Sequence, residues 1–125
     1  MKTTDKVLLG LTGLFLVLLP LQFLFAGAGI FGADFAIHEA FGAGLLHLLT
    51  ILMTIAALVA KRWNLAGLSF CMAILIFVQI MLVQIGRDAG SPWISGLHPL
   101  LAFSYWPYTS FLIWRPLRES EPALI

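Results

Sequence analysis

The chain is 125 residues long, 61% hydrophobic and 10% charged, with a formal net charge of +1 and a mean hydropathy of +1.00. A soluble domain of this size has too little interior to hide so much apolar surface, so lipid is the expected solvent. The charge balance excludes a basic nucleic-acid patch, and the single cysteine, Cys71, excludes an intramolecular disulfide or a cysteine-rich zinc site.

Charges punctuate four apolar stretches, each long enough for the roughly 20 residues that cross a bilayer. Between Lys6 and Asp34 lie 27 uncharged residues, which predict a helix over about 7–28. Its basic start and the Ala26-Gly27-Ala28 run also resemble a signal peptide, but the apolar run exceeds the usual 7–15 residue core, so a retained span is expected. Pro20 should kink it. The 21 residues between Glu39 and Lys61 predict a second span over 36–60, and the 24 from Trp63 to Gly86 a third over 64–86. The 26 from Ala89 to Trp114 predict a fourth over 94–114. Pro107 should kink this one, and Pro99 disfavours helical geometry at His98, where the span is expected to begin or bend. The remainder, 115–125, is expected to be a mobile cytoplasmic tail. The expected fold is all-α: one integral-membrane domain, 1–125, built as a four-helix transmembrane bundle with antiparallel neighbours.

Six of the seven Lys and Arg residues (Lys2, Lys6, Lys61, Arg62, Arg115 and Arg118) fall at one end of such a bundle, and Arg87 alone at the other. The positive-inside rule then places both termini in the cytoplasm of a bacterial inner membrane. Gly10, Gly13, Gly42, Gly44, Ala66 and Gly67 are expected to permit close helix packing. The segments 21–44 and 78–103 share an order of features: a Gln, apolar turns, a loop containing Gly, then a His with a small residue four positions on. This suggests a two-hairpin internal repeat.

Polar side chains inside spans are costly and are candidates for function. Here they are Gln22, His38, Glu39, His47, Gln79, Gln84 and His98. His38 and His47 are nine residues apart, which puts them on opposite faces of an ideal helix. His38 is followed four residues later by Gly42, and His98 by Ala102, so each imidazole has a small neighbour on its own face. That leaves room for a flat group such as a haem held by axial imidazoles from two helices. The small neighbours and the repeat select His38 and His98 as metal ligands. Depth counted from the basic end pairs His47 with His98 instead, and His47 is the alternative ligand. Gln22, Gln79 and Gln84, with Gly42 and Ala102, complete the expected cofactor site. Each histidine also has a plain structural reading, as an interfacial or helix-bridging side chain.

No zinc-protease helix, phosphate loop, nucleophile elbow or cysteine pair is present. Three stretches carry a resemblance: "HEAFGAGLL" opening the second span, "VQIMLVQIG" closing the third and "LHPLLAF" opening the fourth. They resemble a family of small four-helix bacterial membrane proteins known as a domain of unknown function. The resemblance implies an integral-membrane four-helix fold and supplies no activity. Pro99 departs from the small or polar residue usual after the fourth-span histidine there. In layout the chain is also similar to small di-histidine b-type cytochromes, by analogy of architecture alone.

The leading expectation is an inner-membrane protein that binds one haem b between the second and fourth spans for electron transfer, with a quinone or another redox carrier as partner. The alternatives are a non-catalytic accessory subunit of a larger membrane complex, in one version a pigment-bearing one, and a lipid or quinone binder or small transporter acting as a homodimer. An enzyme is not expected.

Overall fold

The computed structural model describes residues 2–120, apart from the side chains of Arg118 and Ser120. Among them the chain is helical throughout, with no strand. The helices are α1 (Thr3–Ile30), α2 (Ala36–Val59), α3 (Trp63–Asp88), α4 (Pro92–Phe103) and α5 (Tyr105–Ser120). The last two are halves of one pass, so the molecule is a bundle of four antiparallel helical passes. α1, α2 and α3 are each long and apolar enough to cross a membrane.

The fourth pass is broken where one was predicted over 94–114. Pro107 has no N–H to give the Phe103 carbonyl, and the chain tightens at Ser104, whose N–H bonds to Leu101 O instead (3.0 Å). Pro107 then occupies the first turn of α5, where a missing N–H costs little. The pass begins at Pro92, not at His98, so His98 is helical despite Pro99. It also runs through Pro116 to Ser120, past the expected start of a tail at Arg115. Residues 121–125 of that tail lie outside the described residues. α1 continues without interruption through Pro20.

Each pass carries one buried stripe at three- and four-residue spacing. It reads Leu8, Thr12, Phe15, Leu19 on α1 and Leu46, Leu49, Met53, Ala57 on α2. On α3 it is Leu65, Ser69, Met72, Ile76, and on the fourth pass Ala102, Tyr105, Thr109, Leu112. That spacing keeps side chains on one helix face, and the four faces make the core. The outward faces are apolar too, with Val17, Leu24, Leu48, Ile55, Phe70 and Phe77 all exposed. A surface as hydrophobic as the interior fits lipid as solvent. Three buried threonine hydroxyls bond within their own helix, Thr12 to Leu8 O, Thr50 to His47 O and Thr109 to Tyr105 O, each at 2.7 Å, while Ser69 Oγ and Tyr105 OH in the same core have no hydrogen-bond partner. Of the small residues expected to pack helices together, Gly42 and Ala66 do so. Gly10, Gly13, Gly44 and Gly67 face open space within this chain, off the buried stripes.

One end is tied by charge. Arg62, in the turn between α2 and α3, grips buried Asp5 of α1 with two bonds (Nε to Oδ1 3.1 Å, Nη2 to Oδ2 3.0 Å) and also reaches Glu119 of α5. Arg115 holds the other Glu119 oxygen (2.8 Å). Asp5 raises the Arg62 guanidinium above its ordinary value. The Arg115 hydrogen bond, together with Arg62, holds the Glu119 carboxyl below the usual range. At the opposite end Arg87 meets Glu39 in an exposed pair (3.1 Å). There α4 begins against Gly86: a Cβ at that position would lie 2.7 Å from Ser95 N. This close approach sets α4 directly on α3.

Candidate functional site: a polar layer across the bundle

Followed toward the Glu39 end, every core stripe reaches a polar side chain. Leu8, Thr12, Phe15, Leu19 leads to Gln22; Leu65, Ser69, Met72, Ile76 leads to Gln79; on the fourth pass Leu112, Thr109, Tyr105, Ala102 leads back to His98. On α2 the stripe reaches His38 through Gly42 and Leu46, by steps of four. Eight residues of ideal helix overshoot two turns by about 80°. The segment Ala40–Leu46 is wound as a π-helix, which turns less per residue and brings His38 back over the core. His38 is 9% exposed and Gln79 5%.

The layer has internal order. His38 Nδ1 lies 3.2 Å from the Gln22 carbonyl, which can only accept, so Nδ1 carries the proton and Nε2 keeps a lone pair. The Gln22 amide donates to the His38 carbonyl (3.1 Å) and lies 3.4 Å from that Nε2. Across the bundle the Gln79 main chain lies beside His98. Each histidine thus leans on the backbone of the glutamine in the preceding helix. The two imidazoles meet with ring centroids 6.0 Å apart and planes at 78°. Phe35 lies beside His38 (5.1 Å), and Phe23 stacks on Phe103 (5.7 Å).

Three buried polar atoms in this layer have no hydrogen-bond partner: Gln22 Oε1, Gln79 Nε2 and His98 Nδ1. Such atoms are expensive in a bundle surrounded by lipid. α4 also stands off from α1 and α2, with no Cα pair within 8 Å, so only side chains bridge that part of the bundle.

The predicted site residues therefore divide. Gln22, His38, Gly42, Gln79, His98 and Ala102 share the layer or its stripes. Gln84 does not. Five residues on from Gln79, it is turned about 140° around α3, is exposed, and donates to Asp88 (2.9 Å). His47 lies elsewhere, in a groove between α2 and α3. The space expected beside Gly42 is not free, because a Cβ there would lie 2.3 Å from Gln22 Nε2. Gly42 makes room for the Gln22 amide, and any room for a flat group comes from the stand-off of α4. The π segment and the glutamine carbonyl that fixes His38 were missed in the sequence. The stripe spacing could have found the layer, since all four stripes extend to it by ordinary helical steps apart from the π turn.

The two ring centres are 6.0 Å apart; an ion between two nitrogens facing each other across it, each at about 2 Å, would set them about 6.3 Å apart. The protonated Nδ1 on a backbone carbonyl is the usual support of a histidine that ligates through Nε2. Among the described residues no group of three or more His, Cys, Asp or Glu is placed to hold a metal ion.

No curated protein and no solved structure matches the chain. One family model does, over residues 22–86, just over half of the sequence, from the glutamine of the layer on α1 to the glycine beneath α4. A membrane-type four-pass bundle with this polar layer belongs to the family of unknown function DUF6220.

Proposed function

We propose that this protein binds one b-type haem between α2 and α4, with His38 and His98 as the axial ligands, and serves in electron transfer. The observation that carries the reading is the approach of two imidazoles from separate helices, 6.0 Å apart inside an apolar bundle. Bound haem supplies a one-electron couple. The chain's own residues do the rest. The Gln22 carbonyl holds the proton on His38 Nδ1, and the Gln22 amide, 3.4 Å from Nε2, would give up that lone pair to the metal. His98 offers a buried nitrogen, Nδ1, with no other partner. The Gln22 and Gln79 amides supply an unpaired acceptor and an unpaired donor for polar groups that enter the layer. Apolar walls exclude water. With His38 and His98 both holding it, the group would supply one-electron transfer rather than binding of a gas or substrate at the metal.

The setting that goes with this reading is the cytoplasmic membrane of a bacterium. Six of seven basic residues gather at the Arg62 end, so that end and both termini face the cytoplasm, and the haem lies toward the opposite leaflet. The fourth pass completes the span as the pair α4 and α5.

The test is a reduced-minus-oxidised absorption spectrum of protein purified after expression with excess haem precursor. A Soret band and an α-band are expected. They should be lost in His38→Ala and in His98→Ala and kept in His47→Ala. A folded wild-type preparation without either band overturns the proposal, as does an unchanged spectrum in both ligand variants.

A further inference from the structure

His47 is the polar side chain that the layer leaves out. It lies 13 residues from Asp34 and 14 from Lys61, about 20 Å from either loop at 1.5 Å per residue. That is the middle of a span. Its imidazole is half-buried and makes no hydrogen bond among the described residues. A ring that must both donate and accept, left without partners at the depth of the acyl chains, is costly enough to ask for a ligand.

The surroundings say what kind. His47 opens into a groove of about 370 Å³ between α2 and α3. One wall carries Phe70 and Phe77, two turns apart and both more than half exposed; Ala73, between them, leaves the depth of the groove. Thr54 is on the α2 side, with its proton committed to Thr50 O (2.8 Å), so it can offer only an acceptor. The groove thus has apolar, ring-faced walls and one free N–H donor. A phospholipid cannot satisfy that donor, because its oxygens lie near the interface while His47 lies at mid-depth. A second copy of the chain would bring only its own apolar outer face, which carries no carbonyl free to accept from the His47 ring at this depth, since helix carbonyls are bonded within their helix. A flat, apolar molecule with a carbonyl acceptor, resident at the bilayer centre, matches donor, walls and depth together.

We infer that the α2–α3 groove binds the head ring of an isoprenoid quinone, with His47 donating to a quinone carbonyl and Phe70 and Phe77 against the ring. The inference concerns binding and does not rest on haem being present in the polar layer.

The experiment uses the full chain in phosphatidylcholine nanodiscs, with decylubiquinone as the probe and retention measured against empty discs. Saturable retention of one probe per chain is expected. His47→Leu should weaken it about tenfold, as loss of one hydrogen bond at a desolvated site would. His47→Gln, which restores a donor, should recover most of the affinity. Phe77→Ala should weaken binding, and the His38→Ala, His98→Ala double variant should leave it unchanged. Nitrogen-15 imidazole spectra give a second readout: the His47 resonance should shift on addition of probe. Retention no greater than in empty discs overturns the inference, and so does binding by His47→Leu equal to wild type. A dimer that His47→Leu dissolves also overturns it, by showing that a second chain fills the groove.

Discussion

The two ends of the bundle are built on opposite terms. At the Arg62 end the charged groups are matched. Asp5, 3% exposed, receives a two-bonded guanidinium, and Glu119 is shared by Arg62 and Arg115, which joins α1, the α2–α3 turn and α5. Above it the core is tightly filled, with Leu8, Phe15, Met53, Met72 and Leu112 fully buried. In the polar layer the opposite holds. Three buried polar atoms lack partners, α2 is wound into a π-helix, and α4 stands off from α1 and α2. A bundle needs only the first arrangement to be stable. The second leaves amide and imidazole groups unpaired, and the proposed ligand site would account for it.

This contrast can be broken from either side. The largest effect should come at the charged end. Arg62→Met strips buried Asp5 of its partner and releases Glu119, and the bundle should lose about 3 kcal/mol, the low end for removing one member of a buried ion pair because Arg62 is partly solvated. Thermal unfolding in detergent measures it. Loss of stability without loss of the Soret band would keep the two ends separate in role; an unchanged midpoint would show that the network ties nothing together.

A smaller effect is expected in the layer itself. Gly42→Ala puts a methyl where the Gln22 amide lies and must push that side chain off His38. Overpacking of this kind costs about 1–2 kcal/mol. Its more telling sign is the freeing of His38, read as weaker haem retention, or as a changed His38 imidazole nitrogen resonance in protein without haem. An unaltered His38 signal would mean that the glutamine does not position the ring.

The smallest effect is on pH. Arg115 and Arg62 depress the Glu119 carboxyl below its ordinary value. A depressed carboxylate contributes stability above its unfolded pKa, and that contribution fades as pH falls through the lower, folded value. Melting temperature should therefore be level from neutral pH down to about 5 and fall in the acid range, mostly through buried Asp5, which Arg62 also holds below the usual carboxylate range, with a smaller share from Glu119. In Glu119→Gln the part of the fall due to this residue should vanish. The pair is exposed, so the change is modest and shrinks in salt.

Much of this was legible in the residues. The gaps between charges gave the first three helices to within a few residues at most ends, because a span in lipid must be long, apolar and free of net charge. Pro107 marked the weak point of the fourth pass, although the break itself, the start at Pro92 and the continuation to Ser120 depend on which carbonyls find substitutes. Gln22, Gln79, His38 and His98 stood out as polar groups in apolar runs. Gln84 stood out equally and belongs elsewhere, because composition carries no angle; only the position of the α3 stripe separates it from Gln79.

The sequence by itself determined that the chain lives in lipid, how many times it turns, and which end gathers positive charge. These follow from hydropathy and charge, which are properties of single residues summed along the chain. Only the tertiary structure decided that a π turn aims His38 inward, that the Gln22 carbonyl fixes its proton, that His98 meets it from another helix, and that His47 is left in the α2–α3 groove. In a chain apolar on every side, the rotation of each helix about its axis is set by how its neighbours pack, and that is a relation between helices rather than a property of any one of them.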